Sequence, residues 1–146
     1  MKFYNPFNIQ KLSNEELIEH VNVLLNKYDD EADTEYLLSQ NVLYLTDVLF
    51  IYAELVSRYQ QDYNFLKYQN DLSETKISCE LKQNSTEKHP VSYYNMLAQE
   101  QMLTLRKEEF ESQKRWCEMK LSLEATKEKI NGIKKQIDSI RSESKF

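Results

Sequence analysis

The chain has 146 residues, a net charge of -5 at pH 7, 40% hydrophobic residues, one glycine and two prolines. This composition is typical of one soluble domain that is poor in the turn residues of sheets and phosphate loops. Because Gly132 is the only glycine, the sequence has no dinucleotide-binding turn, phosphate loop or nucleophile elbow, each of which needs several. The composition therefore excludes most enzyme classes and predicts an all-α protein that works by binding.

The charge is unevenly distributed. Residues 1–100 carry 8 Lys and Arg against 16 Asp and Glu, a net of -8, whereas residues 101–146 carry 11 against 8, a net of +3. The sequence contains no apolar stretch long enough for a signal peptide or a membrane span, so we expect a cytoplasmic protein with no membrane partner. Cys79 and Cys117 lack the spacing of a disulfide framework or zinc site, and Cys117 is expected to be a packed thiol.

The first 33 residues are predicted to form an arm and a short helix. Ser13 followed by Glu16 is a capping box, which places the helix start there. Apolar residues then recur every three to four positions until the acidic segment 29–33 ends the helix. The preceding residues are expected to form an extended apolar arm that tucks onto the helices or docks on a neighbour: Phe3, Tyr4, Pro6, Phe7 and Ile9.

A second, much longer helix is predicted from about residue 34 to 82. A sustained 3.5-residue period is typical of a coiled-coil seam, because it keeps one stripe facing a partner helix. Asn70 falls at an a position of this seam, where it either is a buried amide that fixes the register or oligomeric state, or marks a helix end slipping out of the seam. The seam positions are Leu38, Val42, Leu45, Leu49, Tyr52, Val56, Tyr59, Tyr63, Leu66, Asn70, Ser73 and Ile77.

A polar turn near residues 83–91 is predicted to join this helix to a third one, which runs to about Ser142. Less regular spacing between Leu97 and Phe110 indicates a stutter. Residues 34–146 are therefore expected to form a long antiparallel helical hairpin of coiled-coil type. Apolar residues flank the seam, and we expect helix one and further copies of the chain to cover them: Leu43, Val48, Ile51 and Leu55.

The sequence offers little that would support catalysis. His20 and Glu16 share a helical face, but one histidine and one carboxylate do not complete a metal shell. No acid, base and nucleophile can be grouped by spacing. We therefore expect no enzymatic activity, no metal, no cofactor and no small-molecule substrate.

A row of cations is the sharpest functional feature. If Trp116 is an a position, the e positions of helix three are Lys120, Lys127, Lys134 and Arg141. Of the e positions of helix two, only Glu74 is acidic, so pairing inside the hairpin does not explain the row. A basic row on a rigid helix can follow a phosphate backbone, and the candidate nucleic-acid site comprises these four residues with Lys114 and Arg115.

Two alternatives remain open for this row. Instead of binding phosphate, the row could face the acidic segment from Asp29 to Glu35 or the acids of another subunit. Charge rows on helices are usually solvated or salt-bridged.

The layout resembles the small helical-hairpin proteins of bacteriophages related to the recombination mediator UvsY, over roughly residues 42–142. The resemblance is carried by YLTDVLFIYAEL at 44–55, FLKYQNDL at 65–72, Lys-His-Pro at 88–90, Trp-Cys at 116–117 and IDSIRS at 137–142. It implies an oligomeric, non-enzymatic accessory that binds single-stranded DNA, contacts the phage recombinase and single-strand-binding protein, and acts in the host cytoplasm.

Two hypotheses follow. The first is an accessory protein for single-strand DNA transactions, in which several subunits bind phosphate weakly but together. The second is a structural or adaptor coiled coil, such as a scaffold, an assembly chaperone or an inhibitor, that acts through protein contacts. A homo-oligomer is expected in both.

Overall fold

The computed structural model describes residues 6–144, of which helices account for 88%, and this range contains no strand. The expected all-α class is therefore confirmed. A 3-10 helix at Pro6–Lys11 precedes four α-helices: α1 (Asn14–Lys27), α2 (Glu35–Asn84), α3 (Val91–Gln101) and α4 (Leu103–Glu143).

The N-terminal arm departs from the expectation of an extended segment. Phe3 and Tyr4 lie outside the described residues. The backbone of Pro6–Lys11 is a 3-10 helix, so the extended conformation is wrong there. Ile9 is buried, which agrees with an arm that tucks onto the helices.

Helix α1 begins and ends for local reasons. The Ser13 hydroxyl accepts a hydrogen bond from the Glu16 amide at 3.1 Å, and the Glu16 carboxylate accepts one from the Ser13 amide at 3.5 Å. The predicted capping box is therefore confirmed. After Lys27 the loop is fixed to α2, because Asn41 accepts from the Asp29 amide at 3.0 Å and donates to the Asp29 carbonyl at 2.8 Å.

The long helices follow their predicted bounds closely, except that the third helix is divided. Helix α3 ends at Gln101 and α4 begins at Leu103, inside the segment where a stutter was expected. Met102 between them is fully buried, and its amide lies within hydrogen-bond reach of three preceding carbonyl groups. The irregular apolar spacing is thus accommodated by a local change in helical winding.

The chain divides into two compact units. We call Met1–Ser57 with Glu118–Phe146 the terminal unit, and Arg58–Cys117 the turn unit. In the terminal unit the first turns of α2 pack against the last turns of α4, as an antiparallel pair requires. Their shared core consists of Leu38, Leu45, Ile130, Ile133 and Ile137.

Most of the apolar residues that flank the seam are already covered within this unit. Val48, Ile51 and Leu55 are fully buried without a second copy of the chain, whereas Leu43 is exposed. Of the four flanking residues, only Leu43 is therefore left to be covered by another copy of the chain.

In the turn unit a polar network joins α2 to α4. The Asn70 side chain is buried and donates to the Leu105 carbonyl at 3.2 Å and to the Glu109 carboxylate at 3.3 Å. Arg106 binds Glu109 at 2.6 Å, Asp71 at 2.8 Å and Glu74 at 3.2 Å. Of the two readings of Asn70, the buried amide across the seam is confirmed and the frayed helix end is wrong.

The network keeps the arginine charged. Burial alone would lower the pKa of Arg106, but hydrogen bonds to Asp71 and Glu109 and the charges of Glu109 and Glu74 outweigh it. The pKa of the guanidinium is therefore raised above its ordinary value, so Arg106 keeps its positive charge.

Candidate nucleic-acid interface

All six cations of the candidate site lie exposed on α4, and Lys127 and Arg141 of the row bind carboxylates. The Arg141 guanidinium donates to Glu35 at 2.7 Å, and the Lys127 ammonium donates to Glu124 at 3.3 Å. The expectation that the row has no acidic partner inside the molecule is therefore wrong at these two positions. For Arg141 the alternative of the acidic segment is confirmed, since Glu35 closes that segment.

The reason for the error is specific. Glu35 is the first residue of α2 and does not occupy an e position, so pairing by e positions does not find it. Glu124 lies three residues before Lys127 on α4 itself, at the spacing of a helical neighbour.

These two ion pairs do not neutralise the surface. The side chains of Arg141 and Glu35 are 58% and 46% exposed, and those of Lys127 and Glu124 are 48% and 65% exposed. Exposed pairs of this kind contribute about 0–1 kcal/mol and are weakened by salt. A phosphate group can therefore displace either carboxylate at small cost.

Two members of the row border a groove of about 490 Å³ in the terminal unit. Lys134 and Arg141 lie on its α4 side together with Asp138. The remaining lining residues are Ser39, Val42, Leu43 and Ile137. The groove thus combines an apolar surface with two cations and one carboxylate.

An exposed apolar row on α2 lies alongside the basic row of α4. Tyr36, Leu43 and Phe50 are spaced by seven residues and are 71%, 58% and 53% exposed. The Arg141–Glu35 bond places the start of α2 at the end of α4, and Leu43 shares the groove with Lys134. In this antiparallel register, successive steps of seven bring Tyr36 level with Arg141, Leu43 with Lys134 and Phe50 with Lys127.

We call this surface the aromatic–basic face; its members are Tyr36, Leu43, Phe50, Lys127, Lys134 and Arg141. Sequence reasoning missed Tyr36 and Phe50. The signal was present in the sequence. Three large side chains repeat every seven residues outside the seam positions, which indicates an exposed row on one side of α2.

The other candidate residues do not join this face as one cluster. Lys120 is exposed on α4 one heptad before Lys127. Lys114 and Arg115 belong to the turn unit, and Arg115 occupies a g position. There it lines a separate groove of about 370 Å³ with residues that include Tyr59, Asp62 and Phe65.

Trp116 lies in the seam, in agreement with its assignment to an a position. Its ring stacks on Tyr63, with centroids 5.6 Å apart and planes 22° apart. Tyr63 is likewise a predicted seam position, so the contact joins α2 and α4 across the seam.

Two further predictions concern reactive groups. Cys117 is exposed, as is Cys79, so the expectation of a packed thiol is wrong.

Over residues 6–144, no cluster of three or more His, Cys, Asp and Glu side chains has the geometry to hold a metal ion. In the same range no helix has both the length and the apolar character needed to cross a bilayer.

The site is therefore an exposed, elongated surface rather than an enclosed cavity with converging reactive groups. Family models, curated proteins and solved structures were each compared with this chain, and none matches it.

Proposed function

We propose that this protein is a non-enzymatic, cytoplasmic accessory factor that binds single-stranded DNA through the aromatic–basic face. The observation that carries the proposal is the register of that face, in which exposed apolar side chains of α2 lie level with cations of α4. Proteins that bind single strands without sequence preference combine the same two elements, cations for the backbone and aromatic rings for the bases.

In this mechanism Lys127, Lys134 and Arg141 bind phosphate oxygens, and Lys120 extends the row. Tyr36 and Phe50 are the rings available for stacking, which is worth about 1–3 kcal/mol per base in such proteins. Because each contact is weak, several copies of the chain bind one strand together more tightly than one copy does.

The biological setting of the proposal comes from the resemblance to UvsY-like phage proteins. It implies a recombination mediator in the host cytoplasm that contacts a recombinase and a single-strand-binding protein. Lys114 and Arg115 assist as further phosphate contacts of the turn unit, on the strength of their sequence position and exposure.

The test is a titration of a fluorescent oligothymidylate, followed by anisotropy at about 50 and 200 mM salt, where counterion release predicts a steep loss of affinity. Lys127→Glu with Lys134→Glu should weaken binding at least tenfold and reduce the salt slope. The matched control is Lys82→Glu with Lys88→Glu, which makes the same charge change on exposed lysines of the turn unit.

A second pair of variants separates stacking from charge. Tyr36→Ala with Phe50→Ala should weaken binding while the salt slope stays unchanged, because no phosphate contact is removed. Absence of binding at low salt, or equal losses in the control and the charge-reversal variant, would refute the proposal.

The exposed apolar row also favours a second candidate, an adaptor that recognises another protein. Apolar residues at heptad spacing on one helix pack well against a partner helix. In that case Leu43→Asp abolishes capture of the partner, and the oligonucleotide does not bind at any salt concentration.

A further inference from the structure

The turn unit carries two exposed apolar rows that the proposed DNA-binding face does not use. The first row is on α2 and comprises Phe65, Tyr68 and Leu72, which are between 53 and 63% exposed. At about 100° per residue these side chains project 140–200° around the helix from the buried Asn70. This row, which we call the α2 outer row, therefore lies outside the seam, and Phe65 borders the groove that Arg115 lines on one side of the unit.

The second row lies on α3 and α4 and comprises Met96, Leu103 and Phe110, which are 50, 63 and 63% exposed. Met96 lies between the buried Tyr94 and Ala98 and about 200° around the helix from each, and Phe110 lies about 200° from the buried Ser112. This row, the α4 outer row, thus faces away from α2. The two rows are on opposite sides of the turn unit.

We infer that copies of this chain associate head to tail, with the α2 outer row of one copy packed against the α4 outer row of the next. Exposed rows of large apolar side chains mark interaction surfaces. Since the two rows lie on opposite sides of one unit, a single kind of contact between copies buries both. Such a contact is heterologous, and its repetition gives a closed ring or a filament.

The spacing of the rows supports this contact. Within one copy, Asn70 bonds to Leu105 and Ser78 bonds to Asn95, which fixes the residues of α2 and of α3–α4 that lie at one level. Copies placed side by side at the same level bring Phe65 opposite Phe110 and Leu72 opposite Leu103. Phe65 and Leu72 are seven residues apart, as are Leu103 and Phe110, and the two helices run in opposite directions, so both pairs can form at once.

The charges beside the rows are complementary in the same register. Asp62 precedes Phe65 by one turn and comes level with Lys114, which follows Phe110 by one turn. Lys76 beside Leu72 likewise comes level with Glu100 beside Leu103. All four side chains are exposed and make no ion pair within residues 6–144, which leaves them available to a neighbouring copy.

Mixing two blocked variants of the full chain tests the head-to-tail contact. Variant A carries Phe65→Ser and Leu72→Asp, and variant B carries Leu103→Asp and Phe110→Ser. All four positions are exposed, so circular dichroism should match the wild type. In sedimentation, wild-type protein should form oligomers, each variant alone should be monomeric, and an equimolar mixture should form dimers and nothing larger.

Each other outcome overturns the inference. A dimer of one variant alone indicates a symmetric contact through the remaining row, and a monomeric mixture or a monomeric wild type removes the contact altogether. The sedimentation result is obtained without DNA, so it stands whether or not the protein binds the oligonucleotide. DNA binding is measured separately through Lys127 and Lys134 of the terminal unit, which none of these variants changes.

Cross-linking tests the register. In a background of Cys79→Ser and Cys117→Ser, the double variant Leu72→Cys with Leu103→Cys should form a disulfide-linked ladder on oxidation, since the two thiols of one chain lie on opposite sides. Leu72→Cys alone should remain uncross-linked. A cross-link within one chain, or an equal ladder from Leu72→Cys alone, would contradict the proposed arrangement.

Discussion

Removing Arg106 should destabilise the protein far more than removing Arg141, which also binds a carboxylate. The Arg106 side chain is 26% exposed, and its partners Glu109, Glu74 and Asp71 are 16, 27 and 54% exposed. Arg106→Leu keeps the aliphatic bulk but leaves three carboxylates grouped without a cation. Breaking one side of a partly buried ion pair is costly because the remaining charge is left uncompensated.

The magnitude follows from the three contacts. The two less exposed bonds, to Glu109 and Glu74, contribute about 1 kcal/mol each, and the exposed bond to Asp71 contributes at most about that much. The expected loss in the free energy of unfolding is therefore about 2–3 kcal/mol. For a chain of this size that loss corresponds to a fall in Tm of about 5–10 °C.

The matched control is Arg141→Leu, which removes one ion pair that is about half exposed on both sides. It should cost less than about 1 kcal/mol, and the effect should vanish at high salt. Thermal denaturation followed by circular dichroism gives the two Tm values, and hydrogen exchange of residues 66–110 localises the change. Equal losses in the two variants would refute the argument that burial decides the cost.

Three further predictions concern the terminal unit. Burial raises the pKa of Asp47 above its ordinary 3.8, so the folded state binds this proton more readily than the unfolded state and stability falls as pH rises through that range. Asp47→Asn should therefore stabilise the protein at pH 7 but not near pH 3.5, as urea midpoints at both pH values will measure. Leu45→Ala should cost about 2–5 kcal/mol because Leu45 lies in the core, whereas the exposed Leu43→Ala should change unfolding by less than about 0.5 kcal/mol in the same denaturation assay. Ser13→Ala should cost about 1 kcal/mol by removing the cap of α1, and unchanged hydrogen exchange in its first turn would contradict this.

Much of the fold was predictable because its signals are local. The capping box at Ser13 and Glu16 depends on residues three apart, so the start of α1 followed from the sequence. The sustained heptad period identified which stripe of each helix packs, and the turn residues located the hairpin connection. Even the interruption at Met102 falls where the apolar spacing is irregular.

The polar residues were harder, because periodicity identifies a face but not the groups that meet it. Asn70 was compatible with a helix end slipping out of the seam as well as with a buried amide, and only the approach of Leu105 and Glu109 decided between them. The sequence did not identify Arg106 as part of a network, because two of its three carboxylate partners, Asp71 and Glu74, lie on α2 and only Glu109 lies on its own helix.

The same distinction applies to the candidate interface. The sequence by itself determined that α4 carries cations at successive heptad positions, because that row depends only on spacing along one helix. Only the tertiary structure decided that Glu35 meets Arg141 and that Leu43 lies beside Lys134, since both contacts join residues about a hundred positions apart. Helical period sets the direction in which a side chain points, whereas the level at which two helices are packed sets what it touches.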